Sequence, residues 1–313
     1  MYGALKVFGG RAHPALTQQI CDYLNLPTGR VVCFDFSDGE TFFQIEENVR
    51  GVDVFIIQPT CPPVNNNLIE LLVMIDAFKR ASATRVTAVV PYYGYGRQDK
   101  KDKPRVPVTA KLMADLISRA GADRLLTMDL HAAQVAGFFD MPVDHLFAAP
   151  VILDAIRDMG IPEVVIVSPD AGGVARARAI AKRLDVDLAI VDKRRIAPNE
   201  AEIMNVIGDV RDRDVLIVDD IVDTAGTLVN TVEALRAQGA RRIFAAGIHG
   251  ILSGPALDRI ERSALEALLV TDTTPIDDKL EKSGKLRGLS VAPLLGEAIR
   301  RIHDNSSVTA LFV

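Results

Sequence analysis

Two adjacent acids followed by a short polar loop offer the most evident chemistry in this chain. Asp219 and Asp220 follow an apolar, β-branched run at residues 215–218, which predicts a buried parallel strand. The loop residues that come next are Asp223, Thr224, Ala225, Gly226 and Thr227. The apolar spacing of residues 228–236 predicts a helix directly after this loop. The predicted order is therefore strand, acid pair, loop and helix.

The predicted helix start at the end of this loop would present unpaired backbone N–H groups and the positive end of a helix dipole, which suit a phosphate. Two carboxylates beside a phosphate would repel it unless they bind the vicinal hydroxyls of a sugar or a magnesium ion. The stretch 219–227 therefore indicates a sugar-phosphate site. The alternative is an exposed turn with an Asp N-cap and two solvated acids, and the strand and helix on either side favour the binding site.

Charged or metal-binding side chains follow five of the predicted strands. In open α/β sheets, ligands bind outside the carboxyl ends of the strands. The residues found at these ends are Arg97, Gln98, Asp99 and Lys100 after 86–90, Asp129 and His131 after 125–126, Asp170 after 164–167, Lys193 and Arg195 after 188–191, and Asp219 and Asp220 after 216–218. Acids and a His at some ends, with Lys and Arg at others, suit a bound polyphosphate with Mg²⁺.

Short apolar runs alternate with helical patterns along the chain, which predicts an α/β fold with largely parallel sheets. The predicted strands are 55–57, 86–90, 125–126, 164–167, 188–191, 216–218 and 243–246, and the predicted helices are 67–80, 109–119, 151–159, 174–184 and 228–237. The alternation runs twice. We therefore expect two similar domains, 1–146 and 147–313, each a mostly parallel sheet flanked by helices, with a boundary near residues 148–150.

The composition excludes several classes of protein. The chain has 313 residues, 49% of them hydrophobic, and a net charge of −5, which argues against a general nucleic-acid surface. The three cysteines are widely spaced, as in a protein of the reducing cytosol, so we expect a cytoplasmic location. No apolar run has the length of a membrane span. The chain lacks the P-loop motif, and the glycines at 94 and 96 lack the third glycine of a dinucleotide fingerprint.

Several sequence blocks together resemble the ribose-phosphate pyrophosphokinase family, also called the phosphoribosyl-diphosphate synthases. The blocks are residues 36–40, 95–100, 129–131 with 137–140, 168–173, 192–195, 207–210 and 218–227. They cover nearly the whole chain in the family's order, and the last resembles the phosphoribosyl-pyrophosphate motif of the type I phosphoribosyltransferase fold. The resemblance implies that fold in both domains.

The resemblance also implies a reaction, in which the β,γ-pyrophosphoryl group of ATP is transferred to the C1 hydroxyl of ribose 5-phosphate. The products are phosphoribosyl pyrophosphate and AMP, and the cofactor is Mg²⁺. Lys193 and Arg195 would stabilise the charge that develops in the transfer. His131 and Asp170 would hold Mg²⁺ on the ATP phosphates. The loop of Asp223, Thr224, Ala225, Gly226 and Thr227 would hold the 5-phosphate, with Asp219 and Asp220 on the ribose hydroxyls.

The remaining family assignments concern ATP. Phe36 would stack on adenine, and Asp38, Gly39 and Glu40 would complete its recognition; the alternative is an ordinary turn beside a core Phe36. Arg97, Gln98, Asp99 and Lys100 would contact ATP, and the loop 97–105 would close over it. In the family, the segment around Phe36 reaches the neighbouring subunit's site. We therefore expect a homo-oligomer, commonly a hexamer built from dimers.

Regulation is a further expectation from the resemblance. The common class of the family is activated by phosphate and inhibited by ADP, and Arg50, Ser82, Ser307 and Thr309 lie where an allosteric anion site is expected. Two other functions remain open from the residues alone. A phosphoribosyltransferase would share the loop 223–227, and a non-catalytic regulatory subunit would keep the fold. The residues 36–40, Arg97, Gln98 and the pair Lys193 and Arg195 argue against the transferase, which would not need them for ATP. The presence of Lys193, Arg195, His131 and Asp170 argues against the regulatory subunit.

Overall fold

The structure of the chain is a computed structural model that describes residues 3–161, 163–194 and 203–312, with the backbone alone for 193–194, 203–204 and 312. The strands are β1 Leu5–Gly9, β2 Val31–Asp35, β3 Thr41–Ile45, β4 Asp53–Ile57, β5 Arg85–Val90, β6 Arg124–Met128, β7 Val143–Leu146, β8 Val165–Ser168, β9 Leu188–Arg194, β10 Ile203–Ile207, β11 Asp214–Val222, β12 Arg242–Gly250, β13 Leu265–Thr271 and β14 Leu286–Leu289.

The helices surround these strands in sequence. They are α1 Pro14–Leu24, α2 Val64–Arg80, α3 Thr109–Ala120, α4 Ala149–Asp158, α5 Val174–Leu184, α6 Gly226–Ala237, α7 Ala256–Arg262, α8 Asp277–Leu280 and α9 Ala292–His303. Short 3₁₀ turns cover Ala133–Phe138 and Thr309–Phe312. Among the residues that the structure describes, no helix is both long enough and apolar enough to cross a membrane.

The chain divides into two compact units. The first extends to Phe147 and includes Thr273–Pro275 and the C-terminal residues from Val291, and the second comprises Ala148–Asp272 and Ile276–Ser290. From the sequence, the C-terminal residues were expected in the second domain, 147–313. In the structure, α9 packs on α1 within the first unit, where Tyr23 donates a hydrogen bond to Glu297 and its ring covers Gly296.

The first unit is built on a parallel sheet in the order β1-β4-β5-β6-β7. β4 and β5 are buried along their whole length, because helices cover both faces of a parallel sheet and no polar face is needed. Phe8, Leu71 and Phe78 are among the side chains of the core on one face. The carboxyl ends of β5 and β6 are neighbours, so the segments that follow Val90 and Met128 lie side by side.

The second unit has a larger sheet in the order β10-β9-β8-β11-β12-β13-β14. Neighbouring strands are parallel except β10, which runs antiparallel to β9. Apolar side chains of β8, β11 and β12 pack on both faces, against α6 on one side and α5 on the other. β8 and β11 are paired through Ile217 and Val167, so the residues after Ser168 lie beside the acid pair of β11.

A separate antiparallel hairpin, β2 with β3, projects from the first unit. Its two strands pair only with each other, so it must be held by side chains rather than by a sheet ladder. Phe43 and Ile45 pack on the core of the first unit, where the Phe43 ring lies 5.9 Å from the ring of Phe78. The hairpin carries the segment 36–40 at its turn.

The predicted α/β fold class with two mostly parallel sheets is confirmed, but most of the predicted strands are longer than predicted, and β9, β11 and β12 extend furthest beyond their predicted carboxyl ends. β11 continues to Val222, because Ile221 and Val222 pair with β12 beyond the two acids. β9 continues to Arg194, because the unforeseen strand β10 pairs with it. Lys193 therefore lies within a strand and not after one. The elements β1–β3, β7, β13, β14, α1 and α7–α9 were not predicted individually.

Candidate active site

The acid pair lies inside β11, where Asp219 is half-buried and Asp220 is buried. The backbone N–H of Asp220 donates to Asp219 Oδ1 at 2.9 Å, which holds the first carboxylate against the strand. Arg176 of α5 brings a guanidinium nitrogen to 3.7 Å from Asp220 Oδ1. The second acid of the pair therefore has a cation nearby.

Asp219 has the most perturbed pKa in this cluster. Burial, the charge and hydrogen bond of Asp220, and the more distant charge of Asp170 together raise the pKa of Asp219 to about 7. Two carboxyls this close share protons, so the pair titrates as a unit. The arrangement favours a ligand that supplies positive charge or hydroxyl donors to Asp219.

Asp170 completes the acidic cluster from the end of β8. Its Oδ1 accepts a hydrogen bond from the backbone N–H of Gly173 at 2.9 Å, and its carbonyl accepts one from Ser168 Oγ at 2.7 Å. The turn is tight, since a Cβ on Gly173 would lie 2.9 Å from Ser168 Oγ. The Asp170 carboxylate is therefore fixed in direction and keeps lone pairs for a further donor or cation.

The loop 223–227 is clasped by the segment that precedes α7. Ser253 donates through its backbone N–H to the Asp223 carbonyl at 3.0 Å and through its hydroxyl to the Asp223 carboxylate. Arg259 Nη1 donates to the Thr224 carbonyl at 2.9 Å. These contacts occupy the loop's carbonyls and leave its N–H side available.

The N–H side of the loop is the start of α6. Ala225, at φ 58° and ψ 10°, turns the chain into the helix, which begins at Gly226. In the part of the chain that the structure describes, no hydrogen bond uses the backbone N–H groups of residues 224–227. Thr224 and Thr227 are also exposed. This is the geometry of an anion cradle at a helix N-terminus.

The carboxylates of the second unit are suited to a Mg²⁺ ion that is also bound to the phosphates of a nucleotide. Within residues 3–161, 163–194 and 203–312, no group of three or more His, Cys, Asp or Glu side chains is placed to hold a metal by itself. Mg²⁺ binds through one or two carboxylates together with substrate phosphates and water. The carboxylates of Asp170, Asp219 and Asp220 supply such oxygens.

The hairpin turn of the first unit displays the residues predicted to recognise adenine. The Phe36 side chain is 49% exposed, which excludes the alternative of a core Phe36. Its ring meets the edge of Phe34 at 5.3 Å and of Phe42 at 5.9 Å, so an aromatic cluster stands at the surface. Gly39 has φ +93°, which the turn requires, and Glu40 N donates to Asp38 Oδ1 at 3.1 Å.

The residues predicted to contact ATP form the turn after β5. Arg97, Gln98 and Lys100 are exposed, whereas Asp99 is buried and accepts a hydrogen bond from Gln134 at 2.8 Å. The side-chain oxygen of Gln98 already has a partner, because Oε1 accepts a hydrogen bond from the hydroxyl of Thr109 at the start of α3. A cavity of about 410 Å³ lies beside this turn, lined by Pro63, Val64, Asn65, Asn66, Tyr92, Tyr95, Arg97 and Gln98.

His131 lies next to that turn, at the end of β6. The ring is exposed, and its Cβ lies 4.0 Å from the position that a Cβ on Gly96 would take. The preceding Asp129 is buried with φ 38°, and its N–H donates to the Leu146 carbonyl at 2.9 Å. His131 belongs to the first unit and Asp170 to the second, and each sits at the carboxyl end of its own sheet.

The predicted catalytic pair falls mostly outside the described residues. The backbone of Lys193 pairs with Met204 across β9 and β10, but its side chain is not described. Arg195 lies wholly outside the described residues. The roles of both residues stay predictions.

The residues predicted to bind an allosteric anion lie in the first unit. Arg50 and Ser82 are in adjacent turns, joined by the hydrogen bond from Gly51 N to the Ser82 carbonyl at 3.0 Å. Ser307 and Thr309 are exposed after α9, where the Ser307 carbonyl accepts from Arg301 at 2.9 Å. Their roles stay predictions.

Known proteins similar to this chain are ribose-phosphate pyrophosphokinases. The model for the N-terminal domain of ribose phosphate pyrophosphokinase matches residues 5–121, and that for the phosphoribosyl synthetase-associated domain matches residues 193–313. The ribose-phosphate pyrophosphokinase of Wolinella succinogenes is 52% identical over 308 residues, covering 98% of this chain and 99% of that protein. That of Vibrio parahaemolyticus is 53% identical over 310 residues, with the same coverage. The chain belongs to the ribose-phosphate pyrophosphokinase family.

The architecture agrees with this family. The crystal structure of phosphoribosylpyrophosphate synthetase from Mycobacterium smegmatis has 41% sequence identity and a TM-score of 0.92, covering 97% of this chain and 100% of that one. The predicted family and the predicted activity, synthesis of phosphoribosyl pyrophosphate from ATP and ribose 5-phosphate, are confirmed. The chain is thus an enzyme of nucleotide biosynthesis.

The residues that hold the site of this enzyme in place were not predicted from the sequence. Arg11, Arg176, Ser253 and Arg259 all contact predicted site residues or their neighbours. Each comes from a segment distant in sequence, and none lies in a recognisable motif. Only Arg176 had a local signal, because it lies on the helix that starts directly after the block 168–173.

Proposed function

We propose that this enzyme binds ribose 5-phosphate on β11 and the start of α6, and ATP with Mg²⁺ at the turns of the first unit, for transfer of the pyrophosphoryl group. The observation that carries the proposal is the loop 223–227: among the described residues, no hydrogen bond uses the N–H groups of residues 224–227, which lie beside two acids. A phosphate suits the loop, and vicinal hydroxyls suit the acids. A sugar phosphate combines both features in one small molecule.

The reaction needs positioning more than covalent help from the protein. The oxygen of the C1 hydroxyl attacks the β-phosphorus of ATP, and the bond from that phosphorus to the oxygen bridging to the α-phosphate breaks. AMP leaves with that oxygen, and the hydroxyl proton passes to solvent. Asp219 and Asp220 orient the ribose through its hydroxyls, and the loop fixes its 5-phosphate, so C1 presents a single direction to ATP.

Charge on the phosphates must be neutralised during the transfer. Asp170 and His131 are the residues proposed to hold Mg²⁺, which would supply part of that neutralisation when bound. Lys193 and Arg195 supply the rest as proposed catalytic cations. The raised pKa of Asp219 supports only a nearby cation or hydroxyl donor, because the repulsion from Asp220 and Asp170 is relieved when one binds.

The first unit provides the proposed ATP site. Arg97, Asp99 and Lys100 follow the central strand β5, and the exposed ring of Phe36 offers a stacking surface for a base. Asp38 and Glu40 stand at the same turn as Phe36 and suit the exocyclic amine of adenine. The cavity of about 410 Å³ beside Arg97 and Gln98 has the size of a small-ligand pocket.

The proposal extends to assembly and control. The rings of Phe34, Phe36 and Phe42 form an exposed aromatic cluster on a projecting hairpin, which is surface of the kind that another subunit covers. We therefore assign the enzyme as a homo-oligomer, a hexamer built from dimers. Phosphate as activator and ADP as inhibitor are assigned to Arg50, Ser82, Ser307 and Thr309.

Phosphorus NMR tests the reaction directly. The purified protein is incubated with ATP, ribose 5-phosphate and MgCl₂ over a range of inorganic phosphate. We expect AMP to appear together with a pyrophosphate ester on ribose C1. Persistence of both substrates at every phosphate concentration would contradict the activity and favour a regulatory subunit. Formation of AMP and free pyrophosphate without the ester would contradict the ribose site alone.

A further inference from the structure

At its turn end, the β2–β3 hairpin, which carries Phe36, is fastened to the first unit by Arg11, a residue outside any predicted motif. Arg11 follows β1 and donates from Nη1 and Nη2 to the two carboxylate oxygens of Asp35, at 3.0 and 2.7 Å. Asp35 is the last residue of β2 and directly precedes Phe36. A paired, planar contact of this kind fixes direction as well as distance.

The other side of Arg11 is anchored in the core. Its Nε donates to Glu70 Oε2 at 2.7 Å, and its backbone N–H donates to Glu70 Oε1 at 2.6 Å. The Glu70 side chain is only 1% exposed, and it also accepts from Gln58 at 3.1 Å. Gln58 in turn accepts from Ala12 N at 3.1 Å. The guanidinium therefore joins the end of the hairpin to a fully hydrogen-bonded buried network.

Asp35 lies where it can transmit this constraint to the turn. It pairs with Thr41 as the last register pair before the turn, and the Thr41 hydroxyl donates to its carboxylate at 2.9 Å. The hydrogen bond from Arg11 is the main cause that lowers the pKa of Asp35, so this carboxyl is ionised at neutral pH. The Asp35 carboxylate therefore holds both strands of the hairpin at the turn: Asp35 directly precedes Phe36, and its partner Thr41 directly follows Glu40.

The far end of the hairpin has a separate attachment. Lys6 pairs with Glu47, and Glu47 also accepts from Arg30 N at 2.7 Å. A hairpin of two strands outside any larger sheet is marginal by itself. The base is held through Lys6 and Glu47, and the turn end through Arg11 and Asp35.

We infer that Arg11 is a positioning residue for nucleotide recognition, acting through Asp35 to fix the orientation of the turn that carries Phe36, Asp38 and Glu40. The inference rests on the proposed adenine role of that turn. Arg11 itself needs no contact with the nucleotide. Loss of the anchor leaves the turn folded but with several orientations, of which only some match the base.

Steady-state kinetics with Arg11→Gln test the role. We expect the KM for ATP to rise about tenfold, as a misplaced recognition group does, while the KM for ribose 5-phosphate stays within about twofold because its proposed loop is elsewhere in the chain. Arg11→Lys keeps the charge but not the fork, so it restores part of the affinity. Arg80→Gln is the control, since it removes an exposed ion pair with Asp76 on α2 without touching the hairpin.

A double-mutant cycle with Asp35→Asn separates positioning from general damage. If Arg11 acts through Asp35, the double variant has the same KM for ATP as the single variants. Additive effects, or equal rises in both KM values, would overturn the positioning role. So would an unchanged KM for ATP in Arg11→Gln beside a raised one in Phe36→Ala. An unchanged KM in Phe36→Ala would overturn the adenine role of the hairpin and this inference with it.

A second readout needs no activity. The chain contains no Trp, so Phe36→Trp places a single fluorophore on the turn. We expect Arg11→Gln in that background to lower the fluorescence anisotropy and raise acrylamide quenching, with Arg80→Gln leaving both unchanged. Unchanged anisotropy and quenching in Arg11→Gln would contradict an anchor at this position, whatever the hairpin binds.

Discussion

Two aspartates on the same strand, Asp214 and Asp219, experience opposite electrostatic environments. Asp214, at the start of β11, is fully buried and accepts hydrogen bonds from Arg241 at 2.8 Å and Arg242 at 2.5 Å, which hold its pKa well below the usual range. Asp219, at the other end, lies beside the acids Asp220 and Asp170, and its pKa rises to about 7. The amino end of the strand is therefore electrostatically satisfied, and the carboxyl end is not.

This difference separates structure from function along one element. A buried acid with two cations contributes to folding, because removing its charge leaves the partners uncompensated. Acids whose charges repel one another cost free energy, and a bound cation or hydroxyl donor offsets that cost. The repelling acids lie beside the loop 223–227, where no hydrogen bond among the described residues uses the N–H groups of 224–227. Perturbed pKa values cluster at functional sites for this reason.

The largest effect expected from this comparison is on the rate. Asp219→Asn and Asp220→Asn should each lower kcat on the order of 10²–10³-fold, because each loses a charged contact that orients substrate. The unfolding midpoint of Asp219→Asn should not fall, since a repulsion is removed, whereas Asp220→Asn also loses its contact with Arg176. AMP formation and thermal unfolding are measured side by side. Asp187→Asn is the control, because it removes an exposed acid paired with Arg213.

A variant at Asp214, at the amino end of β11, should show the opposite pattern: lower stability with unchanged kcat. Asp214→Asn loses the charge that pairs with Arg241 and Arg242, and we expect a loss of about 2 kcal/mol in the free energy of unfolding. The two arginines are partly exposed and regain water, which keeps the loss moderate. Urea unfolding measures it, and kcat per folded molecule should equal that of the parent. A fall in kcat with unchanged stability would contradict the purely structural role of Asp214.

The two ends of β11 differ in how much of their structure could be predicted from the sequence alone. The acid pair, the loop and the helix after it form a local pattern, so their order was predictable from spacing. The length of β11 was not, because Ile221 and Val222 join the strand only through their pairing with β12. The Asp214 network was also beyond reach, since Arg241 and Arg242 come from the start of the neighbouring strand. The same holds for Arg11 and Asp35, which are brought together by tertiary packing alone.

The pH dependence of stability should separate the two ends further. The pKa of Asp219 is raised in the folded state, so its contribution is fully present below the ordinary pKa and is lost as pH rises through about 7. Asp219→Asn should therefore be more stable than the parent at pH 8, with the difference narrowing towards pH 4. The pKa of Asp214 is lowered, so its contribution is lost only as pH falls below the ordinary value. Urea unfolding in EDTA at several pH values measures both.

A constant stability difference between Asp219→Asn and the parent from pH 4 to pH 8 would contradict a raised pKa in the folded enzyme. Asp187→Asn provides the reference for an exposed acid, and its difference from the parent should vary little over that range. Because the charge and the hydrogen bond of Asp220 help to raise the pKa of Asp219, Asp220→Asn should also shift the pH at which stability is lost.

The smallest expected effect concerns Mg²⁺ without substrates. A cation near Asp170 and Asp219 relieves the repulsion among the acids, so millimolar MgCl₂ should stabilise the parent at pH 8 by about 1 kcal/mol, as expected for a weak ligand that binds only the folded state. At pH 5 the stabilisation should be smaller, because protonation of the acidic cluster already removes part of the repulsion. Asp219→Asn with Asp220→Asn should lose it, while Asp187→Asn keeps it. Equal stabilisation of all variants would mean that Mg²⁺ acts elsewhere on the surface, and the acidic end of β11 would then depend on the ribose hydroxyls alone for its compensation.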